Sequence, residues 1–181
     1  MTTDEHICVS TDDDEIIKVV EEYGLDVPFK RPNHLSTDTA TTNDVLLHAV
    51  YFYEANGKKY DTIVLLQPTS PLRTVKQIKE AIALYHDDLD MVVSVRKSHS
   101  VSVLCEESEE GFLEFCFNKN GLRRQDPPTY YEYNGAIYII NIEQIKKLSL
   151  IGLTKKNKYV MDEKSSIDID SQIDWILAES I

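Results

Sequence analysis

Residues 62–66, Thr-Ile-Val-Leu-Leu, decide the fold class because they form a continuous apolar run. Such a run is typical of a strand in a parallel sheet, where both faces are covered. Residues 91–95 and 134–140 predict two more strands. Apolar side chains at helical spacing predict helices over residues 42–55, 75–85, 141–148 and 171–178. Strands that alternate with helices predict an α/β domain with a mainly parallel sheet.

The two ends of the chain carry further patterns. Residues 7–10 form a short apolar run that predicts a strand, and an acidic stretch follows at residues 11–15. That stretch lacks the alternating ligands and the central glycine of a calcium loop. We therefore expect Ser10 or Thr11 to cap a helix whose positive end the acids stabilise. In the closing helix, core spacing predicts burial of Ile173, Ile176 and Leu177.

Residues 98–133 interrupt the alternation of strands and helices. Within them, residues 101–105 and 112–117 predict two short strands joined by an acidic, glycine-containing turn. Along the second strand, Leu113, Phe115 and Phe117 alternate onto one face. Since a hairpin outside the core cannot bury aromatic side chains by itself, we expect it to dock on the core or on a second copy of the protein. Residues 98–133 are therefore predicted to be a dimerisation arm.

Composition narrows the class of protein. The chain has 181 residues, which predicts a single domain, residues 1–181. Its net charge of −12 argues against nucleic-acid binding, and no apolar run approaches the ~20 residues of a membrane span. Three cysteines without a C-x-x-C pair fit a reducing cytosol and argue against a disulfide framework or a zinc site. We expect a cytoplasmic protein without membrane or nucleic-acid partners.

Residues 165–170, Ser-Ser-Ile-Asp-Ile-Asp, contain a candidate metal site. In an extended segment Asp168 and Asp170 project to one face, while Ile167 and Ile169 pack on the other. At ~4 Å, two carboxylates repel by roughly 1–4 kcal/mol, so the pair favours a nearby cation. A few hard oxygen ligands suit Mg²⁺ shared with substrate phosphates. An alternative of about equal weight makes Asp168 a solvated residue and Asp170 a helix cap.

A wider set of motifs resembles one enzyme family, the acylneuraminate cytidylyltransferases. These enzymes are the CMP-sialic acid synthetases and their relatives for legionaminic and similar nonulosonic acids. The resemblance covers essentially the whole chain, and its strength lies in the order and spacing of four motifs. They are Leu-Leu-Gln-Pro-Thr-Ser-Pro-Leu-Arg-Thr (65–74), Arg-Arg-Gln-Asp (123–126), Tyr-Asn-Gly-Ala-Ile-Tyr (133–138) and Ser-Ile-Asp-Ile-Asp (166–170).

The resemblance implies a Rossmann-like nucleotidyltransferase sandwich of three layers, working as a homodimer. The anomeric hydroxyl of a sialic-acid-type sugar would attack the α-phosphorus of CTP, giving the CMP-sugar and pyrophosphate. By motif match, Asp168 and Asp170 would hold Mg²⁺, and Arg124 would neutralise an anionic group. The remaining matches would bind substrate, with sugar contacts at Gln67, Asn134 and Tyr138 and cytidine contacts at Arg31 and Thr42.

Each matched residue also has a structural interpretation. Gln67 could satisfy loop amides, and Asn134 with Gly135 could form an ordinary turn. Tyr138 could be an amphipathic core residue, and Arg124 could be a surface cation facing nearby glutamates. Taken singly these interpretations are the stronger ones, whereas the ordered set favours function.

The chain departs from the family pattern at its start. The family opens with a strand, then a basic, glycine-containing loop that cradles the CTP phosphates, then a helix. Residues 1–4, Met-Thr-Thr-Asp, run directly into the expected second strand. We therefore expect the first strand and helix to be absent and the 181-residue chain alone to be inactive and poorly stable. The alternative hypothesis is a non-catalytic paralogue that binds sugar or acts as an assembly partner.

Overall fold

The computed structural model describes residues 4–98, 104–116 and 129–181. Its α-helices are α1 (Asp14–Glu22), α2 (Thr42–Ala55), α3 (Val75–Ala83), α4 (Ile142–Gly152) and α5 (Gln172–Glu179). Its strands are β1 (Thr62–Leu65), β2 (Met91–Lys97), β3 (Cys105–Glu107), β4 (Leu113–Phe115), β5 (Tyr131–Asn141) and β6 (Lys156–Val160). The described residues thus form the mixed α/β fold that the alternating pattern predicts.

Four strands form the main sheet, in the order β1-β5-β2-β6. Strands β2 and β6 are parallel neighbours, whereas β5 runs antiparallel to β2. The antiparallel strand is a feature that the alternation of helices and strands did not predict. Strand β6 was not predicted either, because Lys-Asn-Lys-Tyr-Val has only alternate half-buried positions and lies at the sheet edge, where lysines are common.

The chain divides into two compact units, and each is described by itself. Unit 1 comprises Met1–Ile63 and Asn141–Thr154, and unit 2 comprises Val64–Ile140 and Lys155–Ile181. The single domain over residues 1–181 stays a prediction. Among the described helices, none is long and apolar enough to cross a membrane.

Unit 1 is built around α2 and α4. Helix α2 begins at a capping box formed by Thr41 and Asp44, and it ends at Asn56 before Gly57, which has a φ of +78°. The two helices are tied by an ion pair between Lys146 Nζ and Glu54 Oε1 at 2.6 Å. These contacts confirm the predicted helix over residues 42–55.

The first turn of unit 1 differs from expectation. Residues 7–10 form no strand, and the nearest pairing is an isolated parallel bridge between Thr11 and Lys30. A strand requires a hydrogen-bonded neighbour along its length, and in the part of the chain that the structure describes residues 7–10 pair with no strand, the bridge at Thr11 lying just beyond them. The cap of α1 is Asp13, whose carboxylate accepts from the amides of Glu15 and Ile16, rather than Ser10 or Thr11.

Unit 2 holds the apolar core of the sheet. Fully buried side chains of β2 and β5 pack with α3 and with Met161, in a cluster that contains Ala81, Val92, Ala136, Ile137 and Ile139. Its closing helix α5 begins at Ser171, which forms a capping box with Asp174. The predicted burial on this helix is wrong, because Ile173, Ile176 and Leu177 are all exposed.

The predicted hairpin is present in part. Strands β3 and β4 pair antiparallel, with Cys105 opposite Phe115 and Glu107 opposite Leu113. Residues 101–103 and Phe117 lie outside the described residues. The dimerisation arm over residues 98–133 stays a prediction, and within that range residues 131–133 belong to β5 and pair with residues 95–97 of β2.

Candidate functional site

The loop after β1 forms one wall of a candidate site in unit 2. Its shape is held by Arg73, whose Nη1 donates to the carbonyl oxygens of Gln67 and Ser70, both at 2.6 Å. Burial lowers the pKa of the Arg73 guanidinium, which nevertheless stays charged near neutral pH. One cation thus binds two carbonyl oxygens and holds the backbone of the loop between Gln67 and Ser70.

Ser70 and Asp168 join this loop to the chain ahead of α5. The buried Ser70 hydroxyl lies 3.2 Å from the carbonyl oxygen of Asn134 and 3.4 Å from Asp168 Oδ1. A backbone hydrogen bond from Ile169 to Thr69, at 2.8 Å, holds the two segments side by side. The partly buried Asp168 carboxylate is therefore placed next to the loop.

Gly135 on β5 lies at the centre of the cluster. A Cβ added to this glycine would be 2.8 Å from Gln67 Oε1 and 3.2 Å from both Asp168 Oδ2 and Ser70 Oγ. Its φ is +73°, in the left-handed region that favours glycine. Three side-chain oxygens thus converge on a backbone position that has no side chain. We call Gln67, Ser70, Gly135 and Asp168 the oxygen cluster.

Tyr138 lies near the oxygen cluster. Its pKa is raised, first by burial and then by the nearby Tyr133 and the Asp168 carboxylate. The Tyr133 and Tyr138 rings meet edge to face, with centroids 6.3 Å apart. A half-buried phenol that stays protonated near a carboxylate can donate a hydrogen bond to a ligand.

The Asn134 side chain is placed inside the core. It is 4% exposed, and its Oδ1 accepts from Ser94 Oγ at 2.6 Å while its Nδ2 donates to Ser166 Oγ at 2.8 Å. Its backbone carbonyl, by contrast, lies against Ser70 in the oxygen cluster. The predicted sugar contact of the Asn134 side chain stays a prediction, and both ends of the amide are engaged by protein groups.

The two carboxylates ahead of α5 are the candidate ligands for Mg²⁺. Asp168 forms no ion pair within the described ranges 4–98, 104–116 and 129–181, and the oxygens of Gln67 and Ser70 converge beside it. Asp170 is exposed, and its amide donates to Asp174. Ser171, not Asp170, caps α5, so the capping alternative is wrong.

Hard oxygen donors of this kind fit Mg²⁺. The part of the chain that the structure describes contains no group of three His, Cys, Asp or Glu side chains that could hold a metal alone. Magnesium commonly uses one or two carboxylates and takes its other ligands from water and substrate phosphates. Asp168 therefore suits Mg²⁺ that arrives with a phosphate-bearing ligand, and Asp170 is the exposed second carboxylate.

Unit 1 contains a separate cleft that includes Arg31 and Thr42. Its volume is about 320 Å³, and its other walls come from residues 35–38, 40 and 45. Arg31 Nη2 donates to Asp12 at 3.3 Å, whereas its buried Nε has no partner among the described residues. Thr42 is the exposed first residue of α2, directly after the cap Thr41. A cleft of this size and polarity can hold a small polar ring.

The predicted site residues therefore divide into three groups. Gln67, Asp168 and Tyr138 are brought together in unit 2, and Arg31 and Thr42 lie together in unit 1. Arg124 lies outside the described residues, so its role stays a prediction. Sequence reasoning missed three residues that shape the unit 2 site, namely Ser70, Arg73 and Gly135. The sequence did carry a signal for Ser70 and Arg73, because both lie in the motif at residues 65–74, directly after a predicted buried strand.

Comparisons with known proteins identify the family of this chain. The cytidylyltransferase family model matches residues 2–176. The CMP-N,N'-diacetyllegionaminic acid synthase of Legionella pneumophila is 31% identical over 188 residues, covering 98% of this chain and 78% of that protein. The N-acylneuraminate cytidylyltransferase of Streptococcus agalactiae is 36% identical over 173 residues, covering 94% of this chain and 41% of that protein. The chain thus spans under half the length of that streptococcal relative.

A solved structure supports the same fold. The CMP:2-keto-3-deoxy-manno-octonic acid synthetase complexed with CTP is similar with a TM-score of 0.59 and 13% identity, covering 96% of this chain and 81% of that one. This likeness confirms the Rossmann-like α/β prediction. The chain belongs to the cytidylyltransferase family.

Proposed function

We propose that this protein transfers CMP from CTP to the anomeric hydroxyl of a sialic-acid-type nonulosonic acid, releasing pyrophosphate. A bond forms between the sugar oxygen and the α-phosphorus, the bond to pyrophosphate breaks, and the hydroxyl proton passes to the medium. The observation that carries the proposal is the oxygen cluster, in a chain that the cytidylyltransferase model matches over residues 2–176. The relatives named for sialic and legionaminic acids support the substrate class.

The oxygen cluster and Tyr138 suit a polyhydroxylated acid. The amide of Gln67 can donate to one hydroxyl and accept from another, and the Tyr138 phenol supplies one more donor. Gly135 has no side chain, which allows the three oxygens to approach the β5 backbone and one another closely. These groups orient the sugar, and orientation is a large part of catalysis in such transfers.

The proposal assigns Mg²⁺ to Asp168 and Asp170. When bound, the metal supplies positive charge that neutralises the triphosphate and the attacking oxygen. The chain's own part is to fix the Asp168 carboxylate beside Ser70 and to hold the loop with Arg73. Arg124 is assigned to an anionic group of the substrates, since a guanidinium suits a carboxylate or phosphate.

Nucleotide recognition is assigned to the cleft of unit 1. Arg31 and Thr42 line that cleft, and the Arg31 guanidinium and the Thr42 hydroxyl offer donors for a pyrimidine or ribose oxygen. In this proposal Arg31 and Thr42 bind the cytidine of the CTP that reacts. We further place the protein in the cytoplasm, where CTP is available.

We also propose a two-fold dimer through the hairpin of β3 and β4. Leu113 and Phe115 are 78% and 58% exposed. Because they are two residues apart in β4, both side chains lie on the same face of the hairpin and form an exposed apolar surface. Exposed apolar patches of this kind are typical of interfaces, and two copies of one hairpin meet naturally in a two-fold contact.

The test is CMP-sugar formation with CTP, Mg²⁺ and either N-acetylneuraminic or legionaminic acid. The 181-residue chain is assayed beside a chain that includes any in-frame upstream coding sequence. We expect CMP-sugar and pyrophosphate from at least one of the two chains, because the residues that the cytidylyltransferase model matches include the oxygen cluster. Sugar binding without turnover by either chain would favour the non-catalytic paralogue and contradict the proposal.

A further inference from the structure

Strand β5 bulges where it passes the oxygen cluster. Along β2 the pairing advances two residues, from Val93 to Val95, while along β5 it advances five, from Tyr138 to Tyr133. Gly135, with its φ of +73°, lies within the extra length. Bulges change the direction of side chains and commonly occur beside functional sites. The contacts that stabilise this bulge therefore influence the geometry of the oxygen cluster.

One buried hydroxyl fills the gap that the bulge opens in the ladder. The Ser94 side chain is fully buried, and its Oγ accepts from the Ile137 amide at 2.7 Å. The same hydroxyl donates to Asn134 Oδ1 at 2.6 Å. Ser94 thus satisfies a backbone N–H on one side of Gly135 and a side-chain amide on the other.

A second buried hydroxyl ties the bulge to the segment that carries Asp168. Asn134 Nδ2 donates to Ser166 Oγ at 2.8 Å, and Ser166 Oγ donates to the carbonyl of Asp162 at 2.6 Å. Ser166 is 2% exposed and lies two residues before Asp168. The Ser70 hydroxyl donates to the Asn134 carbonyl oxygen. Asn134 therefore connects three parts of the fold, namely β2, the loop after β1 and the segment ahead of α5.

We propose that Ser94 and Ser166 are positioning residues that act through the Asn134 amide. Together they hold the β5 bulge and the 166–168 segment in register, and so place the Asp168 carboxylate against Gln67 and Ser70. Neither hydroxyl is exposed to a ligand, so neither is a catalytic residue. The inference rests on the proposed function, because the placement matters for a metal and a sugar acid at that cluster.

Ser165 provides a matched control for a merely structural role. It is 6% exposed and adjacent to Ser166, and its hydroxyl also has two partners, Gln77 Nε2 at 2.8 Å and Asp162 Oδ2 at 2.9 Å. None of these bonds reaches Asn134. Loss of the Ser165 hydroxyl should therefore cost stability without moving the oxygen cluster.

The experiment titrates Mn²⁺ into the full 181-residue chain in the presence of saturating CTP, which supplies the phosphate ligands, and follows the water-proton relaxation rate, which rises when the protein binds the Mn²⁺–CTP complex. We expect Ser94→Ala and Ser166→Ala each to raise the Mn²⁺ dissociation constant about 10-fold, as loss of outer-shell support at metal sites does. Ser165→Ala should leave it within about 2-fold, despite a similar fall in thermal stability. If Ser94→Ala does not fold, Ser94→Cys keeps the size of the side chain and should give a smaller increase in the same direction.

Equal losses of Mn²⁺ affinity in all three alanine variants would overturn the inference. Unchanged Mn²⁺ affinity in Ser94→Ala and Ser166→Ala would also overturn it, and so would a parent chain that binds no Mn²⁺. Failure of the proposed function has a different signature. In that case the parent binds Mn²⁺ with the expected pattern among variants, while no CMP-sugar forms from CTP in either chain length.

Discussion

Gly135→Ala should damage function far more than stability. The new Cβ would lie 2.8 Å from Gln67 Oε1 and 3.2 Å from Asp168 Oδ2 and Ser70 Oγ, so the Gln67 side chain must move. An L-residue in the left-handed region costs about 1–2 kcal/mol, which corresponds to a fall in Tm of roughly 2–8 °C for a chain of this size. Displacement of positioning groups by ~1 Å can lower turnover ~100-fold, and we expect a loss of that order.

Gly57→Ala is the matched control for this substitution. Gly57 has a φ of +78°, close to that of Gly135, but a Cβ there would meet nothing within 4 Å. Thermal stability should therefore fall in both variants through the shared backbone strain, and further in Gly135→Ala because its Cβ also displaces Gln67, whereas Mn²⁺ affinity and CMP-sugar formation should fall in Gly135→Ala alone. If the two variants lose function equally, or neither does, the oxygen cluster is not the site.

Three further expectations follow from the placement of charges and apolar groups. Asp168→Asn combined with Asp170→Asn, made in the chain length that forms CMP-sugar, should abolish Mg²⁺-dependent turnover with the circular dichroism spectrum unchanged, and near-parental kcat at saturating Mg²⁺ would refute the metal role. Phe115→Glu should shift sedimentation toward the monomer, whereas Ile173→Glu, on the exposed face of α5, should not; equal behaviour of the two would remove the hairpin from the interface. The pKa of Asp162 is lowered, chiefly by the Ser165 amide, so Asp162 contributes stability above the ordinary value of 3.8 that is lost as pH falls. Urea titrations should then show Asp162→Asn less stable than the parent at pH 7 and equal to it well below about pH 4, and a pH-independent difference would contradict this.

The helices and most strands could be predicted because their apolar spacing or run length is local information. Helix α2 was predicted over residues 42–55, as the structure has it, since a good cap precedes it and Asn56 and Gly57 follow. Strand β6 could not be predicted, because its sequence is polar and only pairing with β2 makes it a strand. For α5 the sequence predicted burial, but the apolar face of the helix is exposed. Helical spacing shows which side chains share a face, and it does not show whether another part of the protein covers that face.

The candidate site was predictable in composition but not in arrangement. Gln67 and Asp168 lie about a hundred residues apart in sequence, and the motif resemblance selected both before the fold placed them on either side of Gly135. The role of Ser94 had no sequence signal, because a serine within an apolar strand does not indicate a bulge. Ser166 was visible as the first residue of the 166–170 motif, but nothing in the sequence indicated its contact with Asn134. Asn134 carried a signal, but its buried amide depends on those two hydroxyls, which only the folded chain brings to it.

The central claim is that the Asp168 carboxylate beside Gln67 and Gly135 holds the metal of a cytidylyl transfer. Anomalous diffraction from crystals soaked with CTP and Mn²⁺ tests it most directly. We predict a manganese peak about 2 Å from an Asp168 carboxylate oxygen, with a phosphate oxygen among its other ligands. A bound nucleotide whose manganese lies away from Asp168 would contradict the account.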